Sequence, residues 1–326
     1  MALIWKKTIK EGIKLSNRST NFRDLYTAQK RAVWFPEEIN IWLDLADFHA
    51  LSHSERTLFL ELISYFVTSE LLVQNVLWEA FYAYVNDPRA KMALTAQMFM
   101  ESIHADFFEM ILNTFGIDQD AMYSNAENNP IMRRKQDLVA SAAQKISISN
   151  GGVDPDTLAW QKDILRAILV NNIVQEWIFF YSAFAMYFAV RETWKMKNVC
   201  NGIDLVLIDE TQHLKMGIEM ILTMIEDNPA LIQDESFVDE IRQTIIDGTE
   251  LELEFIQSLF GKVAIFNLSY NEMEQYVKYI TDRRLQELWF DPYYAISTNP
   301  LKFLQKQDMK TLQNFFEVSA NQYTNF

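Results

Sequence analysis

Two short motifs in this 326-residue chain pair an acid with a base at helical spacing: Glu101-Ser102-Ile103-His104 and Glu210-Thr211-Gln212-His213. Residues at i and i+3 share one helical face, so each Glu and its His can converge on one point. A lone glutamate precedes each motif: Glu70 by 31 positions (70 to 101) and Glu176 by 34 (176 to 210). These charges sit where charge should not be. Glu70 shares a stripe with Ile63, Phe66, Val67, Val73 and Leu77, and Glu176 shares a face with Leu169, Ile173, Phe179, Phe180 and Ala183. Glu101 and His104 lie with Met98, Ala105 and Phe108, and Glu210 and His213 with Leu207, Met216 and Met220. Burying several unpaired carboxylates is very costly; metal cations would supply the compensation. Four carboxylates and two imidazoles suit two adjacent ions of iron or manganese type, roughly 3.5–4 Å apart as in two-metal sites generally. Glu101 with His104 would serve one ion, and Glu210 with His213 the other.

One Glu-x-x-His is a weak signal, more often a surface pair. Two of them, each preceded by a lone apolar-flanked Glu at near-equal spacing, are a strong one. The chain has only 4 histidines. The remaining two, His49 and His53, fall in a turn-like stretch and read as surface residues.

The ligands need long helices to hold them. With 49% hydrophobic residues, 8 Gly and 7 Pro, the composition allows a large core and favours long helices over many short strands. Apolar periodicity predicts helices over about 54–84, 89–115, 130–148, 154–191, 203–226, 234–260 and 270–288, with no period-2 alternation competing. In an antiparallel helix pair, residues level with each other lie equally far from the turn. The midpoint of Glu70 and Glu101 falls beside Asn86-Asp87-Pro88, and that of Glu176 and Glu210 within the polar segment 191–201. Each lone Glu can therefore face its Glu-x-x-His across a helix pair. Two lone Glu plus two Glu-x-x-His is the known template of dimetal carboxylate helix bundles. The expected fold is an all-α, ferritin-like bundle: a single domain over 1–326, with an irregular N-terminal arm (1–50) and a largely irregular C-terminal tail (291–326) carrying a short helix near Met309–Phe316.

The formal net charge of −15 argues against binding a phosphate backbone. The early basic stretch, Lys6, Lys7, Lys10, Lys14 and Arg18, lacks interleaved aromatics and reads as a solvated arm. One cysteine, Cys200, excludes an internal disulfide and any cysteine-rich zinc site, and a reducing, cytoplasmic setting follows. No apolar N-terminal signal segment is seen. The run Trp177–Val190 is shorter than the about 20 residues that span a bilayer and reads as a core helix, so no membrane role is expected.

The chain resembles the small, radical-generating subunit of class I ribonucleotide reductase, most closely the class Ic group with a manganese/iron site. The resemblance runs from about Trp34 to Tyr323. It is carried by Ser69-Glu70-Leu71-Leu72-Val73, the two Glu-x-x-His motifs, Glu176-Trp177-Ile178-Phe179-Phe180-Tyr181-Ser182, Asp209 before Glu210, Asp282-Arg283-Arg284-Leu285, and Asn314-Phe315-Phe316-Glu317 followed by Tyr323. It implies metal ligands at Glu70, Glu101, His104, Glu176, Glu210 and His213, holding Mn/Fe, or alternatively Fe/Fe or Mn/Mn. It also implies a radical-transfer route through Trp34, Asp209 and the tail Tyr323 to a catalytic large subunit docked through the C-terminal tail, and a homodimer. Two positions depart from the pattern. Phe108 stands four residues after His104, where many relatives carry the radical tyrosine, and a phenyl ring cannot form a phenoxyl radical. The oxidising equivalent would then stay on the metals, and Glu70, where tyrosyl-radical members usually have Asp, points the same way. Leu205 stands where manganese/iron relatives can carry a Tyr.

The division of labour fits the residues. Reducing a ribose needs thiols and a nucleotide site, and this chain has one Cys and no Gly-rich phosphate loop. It can activate oxygen, or a reduced oxygen species, and export a hole for deoxyribonucleotide synthesis. Two alternatives compete. A ligand-binding oxidase of the same superfamily would carry a Tyr five residues before Glu176, where this chain has Asn171. Ferritin-like metal storage would have no use for Trp34 or Tyr323.

Overall fold

The computed structural model describes residue 3 and residues 20–151, 156–260 and 266–304. Helices account for most of these, and no strand occurs among the described residues. In chain order they are α1 (Phe22–Ala32), α2 (Leu45–Ala50), α3 (His53–Val76), α4 (Pro88–Phe115), α5 (Gln119–Asn128), α6 (Pro130–Gln144), α7 (Leu158–Ile168), α8 (Phe180–Arg191), α9 (Lys197–Asp227), α10 (Glu235–Phe260) and α11 (Tyr270–Glu287). Two π-helical stretches join them without a break: Leu77–Tyr82 extends α3, and Leu169–Phe179 links α7 to α8.

Local chemistry sets the starts. Ser52 and Glu55 form a capping box at α3, as do Ser269 and Glu272 at α11. Asp87 caps α4 and Asn129 caps α6, each followed by a proline at the first helical position, where its missing N–H costs nothing. Gly116, left-handed at φ 64°, stops α4.

The run from Leu158 to Arg191 is the axis of the bundle. Every residue from 167 to 190 is buried. By length and hydropathy Leu158–Arg191 could cross a membrane, and so could His53–Tyr82; yet the most apolar window of Leu158–Arg191 is 100% buried inside the protein. The sequence expectation of a core helix holds, although the helix is far longer than the apolar run that suggested it. Neighbouring helices approach this axis through glycines. A Cβ on Gly217 of α9 would lie 2.3 Å from the Asn172 Cβ, and one on Gly248 of α10 would lie 2.5 Å from a Val174 methyl. Glycine is what lets the backbones come so close.

The structure corrects the elements at several points. The arm expected to be irregular contains α1, whose Phe22 and Leu25 are buried while it packs on α4 and α9. A further helix, α5, lies between the second and third expected ones, and α9 begins six residues earlier than the expected 203, at Lys197. The basic stretch from Lys6 to Arg18, the expected helix near Met309–Phe316, Asn314–Glu317 and Tyr323 lie outside the described residues.

Candidate metal centre

Four helical segments bring the six residues together. Glu70 comes from α3, Glu101 and His104 from α4, Glu176 from the π segment, and Glu210 and His213 from α9; all six have no exposed surface. They form two overlapping groups. In one, Glu70, Glu101, His104 and Glu210 offer ligand atoms within 4.8 Å of one another; in the other, Glu101, Glu176, Glu210 and His213 do so. Glu101 and Glu210 belong to both, the place a bridging carboxylate takes. His104 Nδ1 lies 3.1 Å from Glu210 Oε1 and 3.5 Å from oxygens of Glu70 and Glu101. His213 Nδ1 lies 3.0 Å from Glu101 Oε1, 3.3 Å from Glu210 Oε2 and 3.9 Å from Glu176 Oε2.

The electrostatics are those of a site built around positive charge. The oxygens of Glu70 and of Glu101 are buried and face no donors but the two imidazoles, an arrangement with a large desolvation cost. Burial pushes Glu70 up to about 8, against the pull of His104, and lifts Glu176 well above the usual carboxylate range. In Glu101 burial is outweighed by His213 and His104, which hold it down at about 2. Burial alone would lower both imidazoles, but Asp209 and the glutamates raise His104, and Glu101 and Glu210 raise His213, well above the ordinary range. Protons thus stand in for cations. Two divalent ions would balance the four carboxylates with both imidazoles neutral, so the residues fit such a pair. Metal entry must displace protons. Apparent metal affinity should therefore rise with pH towards the value of about 8 at which Glu70 ionises, which a metal titration at several pH values checks.

Around this cluster lie residues of three kinds. Asp209 Oδ2 sits 3.2 Å from His104 Nε2 and accepts a 2.9 Å hydrogen bond from Trp34 Nε1. That pattern puts the His104 proton on Nε2 and leaves Nδ1 facing the carboxylates. Trp34 is buried, and its ring lies 6.4 Å from that of His104 at 27°. Phe108 is fully buried and stacks on Phe66 at 4.7 Å and 6°, with Phe107 edge-on. Phe66 stacks in turn on Phe184 at 5.3 Å. The pocket that sequence reasoning singled out is wholly aromatic on these faces. The third kind was missed: Gln97, Asn171 and Asn172 all donate to Glu176. Arg284, from the Asp282–Leu285 stretch, lies over the Trp177 ring at 3.8 Å, beside Glu176 in sequence. Asp282 accepts from the backbone N–H groups of Tyr293, Tyr294 and Ile296 and fastens the chain after α11. His49 and His53 are exposed.

Fold and cluster together define a ferritin-like helix bundle with a buried carboxylate–histidine centre suited to two metal ions. Comparison with known proteins narrows this. The family model for the ribonucleotide reductase small chain matches residues 17–300, and the chain belongs to that family. It is 29% identical over 297 residues to the ribonucleoside-diphosphate reductase subunit beta of Chlamydia pneumoniae, covering 89% of this chain and 83% of that one. It is 26% identical over 311 residues to the ribonucleoside-diphosphate reductase small chain of Yaba-like disease virus, covering 93% and 87%. Among solved structures, the ribonucleotide reductase R2 subunit from Clostridium botulinum superposes with a TM-score of 0.81 at 23% identity, over 95% of this chain and 99% of that one. The dimanganese(II)-NrdF of Streptococcus sanguinis does so at 0.74 and 18%, over 92% and 99%. At these identities the structures speak for the fold. The chain is thus a small subunit of ribonucleoside-diphosphate reductase, the oxidoreductase that the family works as with a catalytic large subunit.

A ligand replacement tests the centre. His213→Ala should lower metal content by close to one ion per chain and abolish reductase activity, because it removes one imidazole and leaves buried glutamates under-compensated. Unchanged stoichiometry by metal analysis would mean that His213 is not a ligand.

Proposed function

We propose that Glu70, Glu101, His104, Glu176, Glu210 and His213 hold two metal ions, most simply Mn/Fe, with Fe/Fe or Mn/Mn as alternatives. The bound pair would supply oxygen activation and would itself keep one oxidising equivalent. What this chain's residues do follows from their placement. Phe108 carries the reading: it fills the expected tyrosine position, has no O–H to give up, and is packed by Phe66 and Phe107 with no polar neighbour on those faces. His104 and Asp209 connect the centre to the Trp34 indole by two hydrogen bonds to one carboxylate oxygen. Asp209 takes the N–H of each partner and so can pass a proton between them as a hole leaves through Trp34. Tyr323 would carry the hole on to the large subunit, docked through the tail. A homodimer, a single ferritin-like domain over 1–326 and a cytoplasmic setting belong to the same proposal; a buried Cys200 suits that setting.

The test is spectroscopic. Protein loaded with Mn and Fe and then activated should show a metal-coupled EPR signal and no narrow tyrosyl signal near g of about 2, and Tyr323→Phe should keep that signal while losing turnover. A stable tyrosyl radical that tracks activity would overturn storage on the metals but not the family.

A further inference from the structure

The two ends of the cluster are built differently. At one end, Glu70 has no amide donor and faces only His104 Nδ1, 3.5 Å from Oε2. At the other, both oxygens of Glu176 are engaged. Gln97 Nε2 lies 3.2 Å from each of them, Asn171 Nδ2 donates to Oε1, and Asn172 Nδ2 donates to Oε2 at 3.2 Å. All three amides are buried, Gln97 at 0%, Asn171 at 1% and Asn172 at 2% exposed.

The π segment is what makes this possible. In an α-helix at about 3.6 residues per turn, positions i and i+5 point roughly 140° apart, so Asn171 would turn away from Glu176 while Asn172 faced it. In a π turn the bonding runs i to i+5, and both asparagines reach the same carboxylate. Asn172 also donates to the His213 carbonyl at 3.2 Å, tying the π segment to α9. Gly217 leaves the room for it, since a Cβ there would lie 2.3 Å from the Asn172 Cβ. Gln97 reaches in from α4. Three amides from two helical segments thus hold one carboxylate by both oxygens, and Glu176 takes part only in the group that contains His213.

We propose that Gln97, Asn171 and Asn172 are positioning residues that clamp Glu176 as a terminal ligand of the His213 position, so that this position's metal affinity is set separately from that of the His104 position. This rests on the two-metal reading above. The clamp holds Glu176 in place before the ion arrives, and prevents it from swinging across to the Glu70 end. Glu70, with no amide donors, stays free to adjust. Loss of one clamp donor should act on one ion, because the amides touch no ligand of the other group except through the shared scaffold.

The experiment uses the full chain, its Asn171→Leu variant and its Gln97→Met variant, two near-isosteric changes on different helices. Each is equilibrated with Mn(II) over a range of concentrations. Total uptake is read by metal analysis and occupancy at each position by anomalous diffraction. In both variants the Mn(II) needed to half-fill the His213 position should rise about 10–100-fold, the usual effect of removing a residue that orients a ligand, while the His104 position moves by less than about twofold. Equal weakening of both positions, no change at either, or loss of the fold in both variants would make the amides scaffold and overturn the clamp. Failure of the underlying reading shows elsewhere: the parent protein would then bind fewer than two ions before any variant is compared.

Discussion

Lys135→Met is expected to lower folding stability by about 3–5 kcal/mol, the usual result of removing one partner of a buried ion pair. The Lys135 ammonium has no exposed surface and lies 2.7 Å from Glu252 Oε2, which is equally buried. It also rests on three aromatic faces: Tyr65 at 3.7 Å, Phe255 at 4.2 Å and Phe179 at 4.4 Å from the ring centroids. Methionine would fill the cage but would leave the Glu252 carboxylate with Ser182 as its hydrogen-bond donor. Burial already pushes Glu252 above its usual value of 4.5, with Lys135 pulling it down. Without the lysine the shift grows, so folded Glu252 keeps a proton that the unfolded chain has released. Where the folded state binds more protons, stability falls as pH rises. The cost should therefore be larger at about pH 8 than at about pH 5, and adding Glu252→Gln should recover most of it. Urea melts at both pH values, in one fixed metal-loading state, measure this. An equal cost at the two pH values, or no recovery in the double variant, would contradict the assignment.

The six residues of the centre were legible because their chemistry conflicts with their neighbourhood. Glu70 and Glu176 interrupt apolar faces, and the Glu-x-x-His spacing gives each imidazole a direction. Level pairing across the turns near 86 and 193 then follows from helix geometry, and the structure gathers the same residues. The amides on Glu176 carried no such signal. Asn171, Asn172 and Gln97 are uncharged, and the segment from Leu169 to Phe179 is buried on all sides, so no polar stripe marks them. Their convergence depends on a π turn, which periodicity read at the α-helical repeat cannot show. The helix α1 was missed for a different reason: Phe22, Leu25 and Gln29 do share one helical face, but the segment is short and polar on average, so it reads as part of a solvated arm. Asp209 could be placed beside His104 only through resemblance, since its role depends on Trp34, which is 175 positions away in sequence.

That long-range contact supports the second large expected effect. Trp34→Phe should cut kcat with the large subunit at least about 100-fold, equal to ~2.7 kcal/mol of barrier, while metal content, the metal-coupled EPR signal and KM for the large subunit stay unchanged. Phenylalanine can still pack edge-on against Phe107, as the indole does at 5.5 Å and 78°. It loses the Nε1–H that donates to Asp209 Oδ2, and with it the most easily oxidised aromatic group on the proposed path. Asp209 remains held by His104 at 3.2 Å, so the centre keeps its proton arrangement and the loss is confined to the step beyond it. Asp209→Asn separates the two roles. An amide oxygen can accept from Trp34 or from His104 but carries no charge to polarise the His104 N–H, so this variant should disturb the metal signal as well as turnover. If Trp34→Phe changed metal content or binding of the large subunit as much as kcat, the indole would be a packing element, and the hole would have to leave the centre by another way.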